Sequence, residues 1–490
     1  MRIAIKIMLG LLISGILLTS CKKDFLEVIP KGSLIATTAA DYDLLLSFNG
    51  FYFNSAVDGS YMLPLALGDE VAAEGSLFGN TNIHMQRAFR WEPVIYEPTE
   101  EPYYIGTQLS LLYTCNKVIE EVMNGAGDEL QKRQLLAEAK AGRAFLYFHL
   151  INLFGKPYNA ATAATDPGFP LITRADVTAN HYTRASVQAI YDLVVSDLQA
   201  AIPDLPLTGK PRVRILKSGA EGLLGKVYLF MGKPAAALPF LNAAFTDMAA
   251  QPTPPRLYDY NVELAPGGSF LPVSPTAGPV NPGNKYDDLT ESLMAKTFYS
   301  GTGRSNINVF YGNSALVLTP EAAALFTATD KRLQLYSANK PDGSPNPGGR
   351  IRKYAVTYTK FGLQLPELYL LSAECKARTN DLAGAKADVE YLRNRRMPNA
   401  DALVPTAIAG DQASLIRFII DERIREFAAE GYRWFDMRRL STDPLFSALV
   451  YKHTIYADAG NEVITLTPER LVLRLPPYYL DKNPEMRDNP

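Results

Sequence analysis

Apolar positions fall into helical periods over most of the middle of the chain. Residues Leu135 to Phe154 hold no proline and are apolar around most of the helical circumference, with Ala144, Phe145, Leu146, Tyr147 and Phe148 in succession. A helix apolar on all sides belongs in the centre of a pack. Val187, Tyr191, Val194, Leu198, Ala201 and Leu205 then form an i, i+3, i+4 stripe closed by Pro203. Ser218-Gly-Ala-Glu221 has the form of a capping box and predicts a helix carrying Leu223, Val227 and Phe230 on one face. Gly232 ends that helix, and Pro234 suits the first turn of the next, which carries Leu238, Leu241 and Phe245. A further helix is predicted from about Asp411 to Ala429.

The hairpin around Gly232 recurs 148 residues later. Leu368, Leu371 and Cys375 take the places of Ala220, Leu223 and Val227, and Asn380 takes that of Gly232. Ala383, Ala385 and Val389 match Ala235, Ala237 and Leu241. Two helices, a tight turn and small residues at the crossing describe a tetratricopeptide-like unit. The repeat is degenerate and widely spaced, so it is no simple solenoid. Between the hairpins, residues 251–283 and 341–349 are dense in Pro and Gly, and residues from about 48 to 106 are irregular and rich in aromatics. Loops this long inside a compact protein usually carry function.

Composition narrows the class. A chain of 490 residues, 47% hydrophobic, builds its core without disulfides or metals. Lys and Arg number 49 against 51 Asp and Glu, a balance that argues against a nucleic-acid partner and against a charged disordered chain. Tyr (27) and Phe (22) far outnumber Trp (2). At the N-terminus, Arg2 and Lys6 lead into the apolar run Ile7 to Leu18, the form of a secretory signal and too short for a comfortable membrane span. Leu18-Thr19-Ser20-Cys21 resembles the bacterial lipobox, which assigns residues 1–20 to a signal peptide and a lipid to Cys21. Lys22 in place of an Asp favours the outer membrane. Cys115 and Cys375 read as small buried hydrophobes.

Little in the chain resembles catalysis. His84, His149, His181 and His453 show no metal-ligand spacing, and GxSxG, Walker and GxGxxG motifs are absent. The densest charge cluster spans Asp421 to Arg439, with Glu422, Glu426 and Glu430 at i, i+4 on one helical face. A glycosidase needs two carboxyl groups facing each other across a cleft, roughly 5–9.5 Å apart. Here the spacing pairs Glu422 with Arg425 and Glu430 with Arg433, which favours the ionised form and a structural network.

That same segment, ERIREFAAEGYRWFDMRR, resembles the most recognisable motif of the SusD/RagB family, in which Glu422, Arg423, Glu426, Glu430, Gly431, Arg433, Trp434, Asp436 and Arg439 match. AEAKAGRAFLYFHLINLFGKP at 137–157, LPELYLLSAECKART at 365–379, Leu475-Pro476, Asn483-Pro484 and Leu26 to Pro30 resemble further family segments in family order. Lys156-Pro157, Tyr479 and the end at Pro490 depart from it at packing positions. The resemblance implies a mainly α, SusD-like fold: a tetratricopeptide-like helical-hairpin scaffold (an α/α superhelix) with long irregular loops and minor β. It implies one such domain over 21–490, with scaffold at about 107–248 and 365–440 and a loop-rich ligand-binding part at about 48–106 and 250–360. It further implies a non-catalytic lipoprotein, without metal or cofactor, at the surface of a Gram-negative outer membrane. Such a protein captures an oligosaccharide, or a peptide, for a SusC-like TonB-dependent transporter. An exported glycan-degrading enzyme and a structural helical-repeat lipoprotein are the alternatives.

Sugars present C–H faces and hydroxyl rims, so their sites need flat aromatic rings flanked by polar groups. The loops supply Asn80, Trp91, Tyr96, Tyr103, Tyr104, Tyr286, Tyr299 and Tyr311 as candidate ligand residues. With so few Trp, a Tyr-lined cleft is expected rather than a Trp platform.

Overall fold

The computed structural model describes residues 36–54, 63–179, 181–209, 213–274, 278–280, 285–299, 315–354 and 358–490. The signal segment, Cys21 and Tyr311 lie outside the described residues, as do the side chains of Tyr103 and Tyr299. The scaffold helices are α1 (Tyr103–Glu121), α2 (Glu129–Phe154), α3 (Val187–Ala201), α4 (Lys217–Phe230), α5 (Pro234–Ala249), α6 (Leu365–Arg378), α7 (Leu382–Arg393), α8 (Gln412–Phe427) and α9 (Tyr432–Leu440). Asp128 caps α2 by accepting from the Gln131 amide at 2.8 Å, and α2 is buried on every side over its C-terminal half, as its composition predicts. Ser186 caps α3 in the same way, through the Ala189 amide.

The repeat is real to the residue. The hairpins α4/α5 and α6/α7 start, turn and restart at positions offset by 148. Both turns need a left-handed residue: Gly232 has φ +71° and Asn380 has φ +67°. Asn is among the few side chains that tolerate this conformation, which is why it can replace Gly. In space α5 packs on α6, so hairpins far apart in sequence stack directly. The capping box did not form. α4 begins one residue before Ser218, with Leu216 as an N-cap that offers no side-chain bond. Ser218 is buried, and its hydroxyl accepts instead from Gln251 Nε2 at 3.1 Å, beyond the far end of α5.

Short strands close the ends of the scaffold: β1 (Phe53–Asn54), β2 (Val71–Glu74), β3 (Ser292–Tyr299), β4 (Leu316–Leu318), β5 (Tyr358–Gln364), β6 (Lys452–Tyr456) and β7 (Glu462–Thr465). They form a three-stranded sheet ordered β1-β3-β5 and a four-stranded sheet ordered β7-β6-β2-β4. Much of 48–106 is therefore not the open loop expected. It holds helices Leu63–Leu67 and Ile83–Phe89 besides β2, and Leu65, Leu67, Val71, Phe78 and Phe89 are core. Cys115 and Cys375 are free and buried. No helix among the described residues is long and apolar enough to cross a membrane.

Candidate functional site

The charged segment 421–439 lies inside the molecule. α8 ends at Phe427 because Ala429 (φ +59°) and Gly431 (φ +84°) take left-handed conformations before α9 starts. Glu430 thus leaves the helical face expected to carry it with Glu422 and Glu426. Glu422 and Arg425 pair as the spacing predicts, at 2.8 Å, and Arg332 and Arg393 join them at 2.7 and 2.6 Å. Glu426 meets Arg396 at 2.7 Å and Arg332 at 2.9 Å. The expected Glu430–Arg433 pair is replaced, since the break rotates the two residues apart: Glu430 bonds Lys353, and Arg433 reaches Asp69 at 2.6 Å. Asp436 accepts from Arg423 at 2.7 Å and Arg439 at 2.8 Å, while Glu374 takes Arg439 at 2.6 Å. Burial works against charge on each of these carboxyls, yet the arginines win. Glu422 and Glu426 are held below the usual range, and Glu374 and Asp436 are held at about 2. None of these four can serve as a general acid.

Three predicted aromatic ligand residues lie in the interior. Trp91 is 5% exposed. Its Nε1 donates to the Leu67 carbonyl at 3.2 Å, and its ring stacks on His453 at 3.8 Å, with Phe89 on the other face of the imidazole at 4.0 Å. Tyr96 packs on His84 with ring centres 4.6 Å apart, and Tyr104 is buried near His149 at 5.7 Å. These rings are part of the core packing and offer little face to a ligand. Asn80 is exposed but bonds back to the Ser76 carbonyl, in the turn that follows the four-stranded sheet's β2.

Tyr286 alone of the described candidates offers an open ring, 59% exposed. Strand pairing gives it partners that the sequence did not single out. Phe53 and Lys360 both register against Thr297 of β3, from opposite sides. Alternation along β5 turns Phe361 into the core and Tyr358 and Lys360 outward. Phe53, Tyr286 and Tyr358 form a triangle with ring centres 5.9, 5.9 and 6.0 Å apart and planes tilted by 55–61°. The Lys360 ammonium donates to the carbonyls of Lys285 and Tyr286 at 2.7 and 3.1 Å, fixing the base of the exposed ring. Burial draws its pKa down to about 8, against Asp288 and Asp287.

Beside this triangle opens a small cleft with a volume of about 80 Å³. Tyr358 and Lys360 form one wall, and Tyr354, Asp288, Glu291, Lys353 and Glu430 contribute to the rest. Asp288 accepts from the Tyr258 hydroxyl at 2.7 Å and the Thr290 amide at 3.0 Å, contacts that keep its pKa low against burial. Burial raises Glu291, which accepts from Arg396 at 3.0 Å and from the Tyr258 amide at 2.9 Å. Asp288 and Glu291 stand three residues apart in the chain, and each carboxylate already accepts hydrogen bonds from within the protein. Glu70 and Glu221, both raised to about 7 by burial, are enclosed in the core. The arrangement is an exposed aromatic surface beside a polar cleft.

Comparison with known proteins bears on the family and the fold of the chain. Residues 24–229 match a family model described as starch-binding associating with outer membrane, and residues 351–490 match that of the SusD family. A SusD-like protein of Formosa agariphila, P2, is 25% identical over 367 residues, covering 68% of this chain and 70% of its own. A putative sugar binding protein from Bacteroides vulgatus superposes with a TM-score of 0.68 at 19% identity, over 94% of this chain and 99% of that one. A laminarin-binding SusD-like protein superposes with a TM-score of 0.63 at 20% identity, over 93% and 100%. With matching models at both ends and the 421–439 motif running from the end of α8 through α9, this chain belongs to the SusD/RagB family.

Proposed function

We propose that this protein is a non-catalytic, lipid-anchored binding protein of a Gram-negative outer membrane. It captures an oligosaccharide on the Phe53–Tyr286–Tyr358 surface and its adjoining cleft. The observation that carries this reading is the exposed Tyr286 ring, braced by two further rings and by Lys360. Tilted aromatics meet the C–H faces of successive sugar units, while Lys360, Tyr354 and Glu430 at the cleft meet hydroxyls. The matched family description names starch binding at the outer membrane, and one structural neighbour is described as binding laminarin. Both favour a glycan over a peptide.

The anchor rests on the lipobox at Cys21, and delivery to a SusC-like TonB-dependent transporter rests on family membership. Affinity electrophoresis against a panel of soluble glycans tests capture, with laminarin and starch first. Retardation by one glycan without release of reducing ends is the expected result. Hydrolysis would replace the reading with an enzyme, and indifference to every glycan would favour the peptide. For the anchor, Cys21→Ala should release the protein from the membrane fraction. Mild detergent extraction should recover the wild-type protein together with a TonB-dependent barrel.

A further inference from the structure

A second concavity, sharing no residue with the aromatic cluster or its cleft, opens between the first half of α1, residues 169–176 and 181–182, and the C-terminal segment 475–486. Its volume is about 540 Å³. Ile105, Leu109, Phe169, Ile172, Leu475 and Met486 supply an apolar floor. Arg174, His181 and Lys482 stand at its polar margin. The walls are fixed by hydrogen bonds to their backbone. Asn116 Nδ2 donates to the carbonyls of Ile172 and Arg174 at 3.0 and 3.2 Å, and the Ile172 amide donates to the Tyr147 hydroxyl. On the other side, Asn483 Oδ1 accepts from the Tyr182 amide at 2.9 Å, tying the C-terminal segment to the loop. A preformed apolar concavity with a few polar groups at its edge has the anatomy of a small-molecule site.

The charge at the margin selects the head group. Arg174 is 83% exposed and meets its nearest acid, Glu120, only at 3.4 Å. Lys482 is exposed, with its ammonium over the Tyr478 ring at 3.7 Å and no carboxylate within ion-pair distance among the described residues. The acid in the lining, Asp176, turns its carboxylate back onto the Thr178 amide and hydroxyl at 2.8 and 2.7 Å. We propose that this groove binds an anionic amphiphile: one alkyl chain along the floor, with its carboxylate or phosphate between Arg174 and Lys482. An alkyl chain gains from burial in proportion to the apolar area covered, and the two cations orient it.

Calorimetry on the mature chain with submicellar sodium dodecanoate tests this, alongside dodecyltrimethylammonium chloride and dodecyl phosphate. Dodecanoate and dodecyl phosphate should bind saturably at one site, and the cationic surfactant distinctly more weakly. Arg174→Glu/Lys482→Glu changes only exposed residues and should keep its melting temperature. It should weaken dodecanoate about tenfold, the scale expected of two solvent-exposed charges, and improve binding of the cationic chain. Leu109→Glu should abolish both anionic ligands. Equal affinity for the two head groups overturns the proposal, as does absence of saturable binding or indifference to the double charge reversal. Dodecyl phosphate binding without dodecanoate would narrow the head group to phosphate. The glycan assays are unaffected by any of these outcomes.

Discussion

The 421–439 seam and the Phe53–Tyr286–Tyr358 face use the same kinds of residue to opposite ends. In the seam, carboxylates and guanidinium groups are largely buried, and each of Glu422, Glu426, Glu374 and Asp436 meets at least two arginines. In the face, Tyr286 stands in solvent, and the cleft beside it is bordered by Lys360, Asp288 and Glu430. Aromatics divide in the same way: Trp91 is locked between core elements, whereas Tyr286 is held at its backbone and braced by two rings but stays open to solvent. Residue type does not separate structure from recognition here. The number of partners each side chain already has does.

Breaking the seam should therefore cost stability and leave the ligand surface to fall only with the fold. Glu422→Ala strands Arg332, Arg393 and Arg425 without a shared carboxylate, and should destabilise by about 3–5 kcal/mol, the usual cost of an uncompensated buried charge. Thermal melts and expression yield measure it. Trp91→Ala removes a buried ring that staples helix Ile83–Phe89 to His453 and should cost about 3 kcal/mol. A variant that melted normally but lost glycan would return Trp91 to the binding site. Acid should unpick the seam in a defined direction. Glu374 and Asp436 have folded pKa values of about 2, below their reference values of 4.5 and 3.8. The stability they contribute is present above the unfolded values and is lost as pH falls from about 4.5 towards 2. Melting temperature against pH should drop most steeply in that window. On the other side of the comparison, Tyr286→Ala or Tyr358→Ala should weaken glycan binding by about 1 kcal/mol each, as for other aromatic contacts, with little change in melting.

The seam and the scaffold were legible because their signals are local. Leu135 to Phe154 shows its burial in composition, and Gly232 and Asn380 mark equivalent left-handed turns in a repeat 148 residues apart. Local reading failed where a chain break or a distant partner decides. The left-handed residues Ala429 and Gly431 undo the i, i+3 pairing of Glu430 with Arg433, and Gln251 diverts Ser218 from its cap. The aromatic face is the least legible part. Phe53 joins Tyr358 only because both strands flank β3, across some 300 residues of chain, and a two-residue strand carries no periodicity of its own. The alternation of Tyr358, Lys360 and buried Phe361 was present in the sequence and could have marked β5. Conversely, Trp91, Tyr96 and Tyr104 looked available because proline-broken segments read as loops, although their rings pack on His453, His84 and the region of His149.

The division between the two regions is tested most directly by calorimetry on Phe53→Ala/Tyr286→Ala/Tyr358→Ala, against the glycan that the wild-type chain binds from a soluble panel that starts with laminarin oligosaccharides. The account predicts that the triple variant loses at least about tenfold in affinity, the sum of modest aromatic contacts, while its melting temperature stays close to that of the wild type. Full affinity in the triple variant, or a wild-type chain that binds no glycan at all, would contradict it.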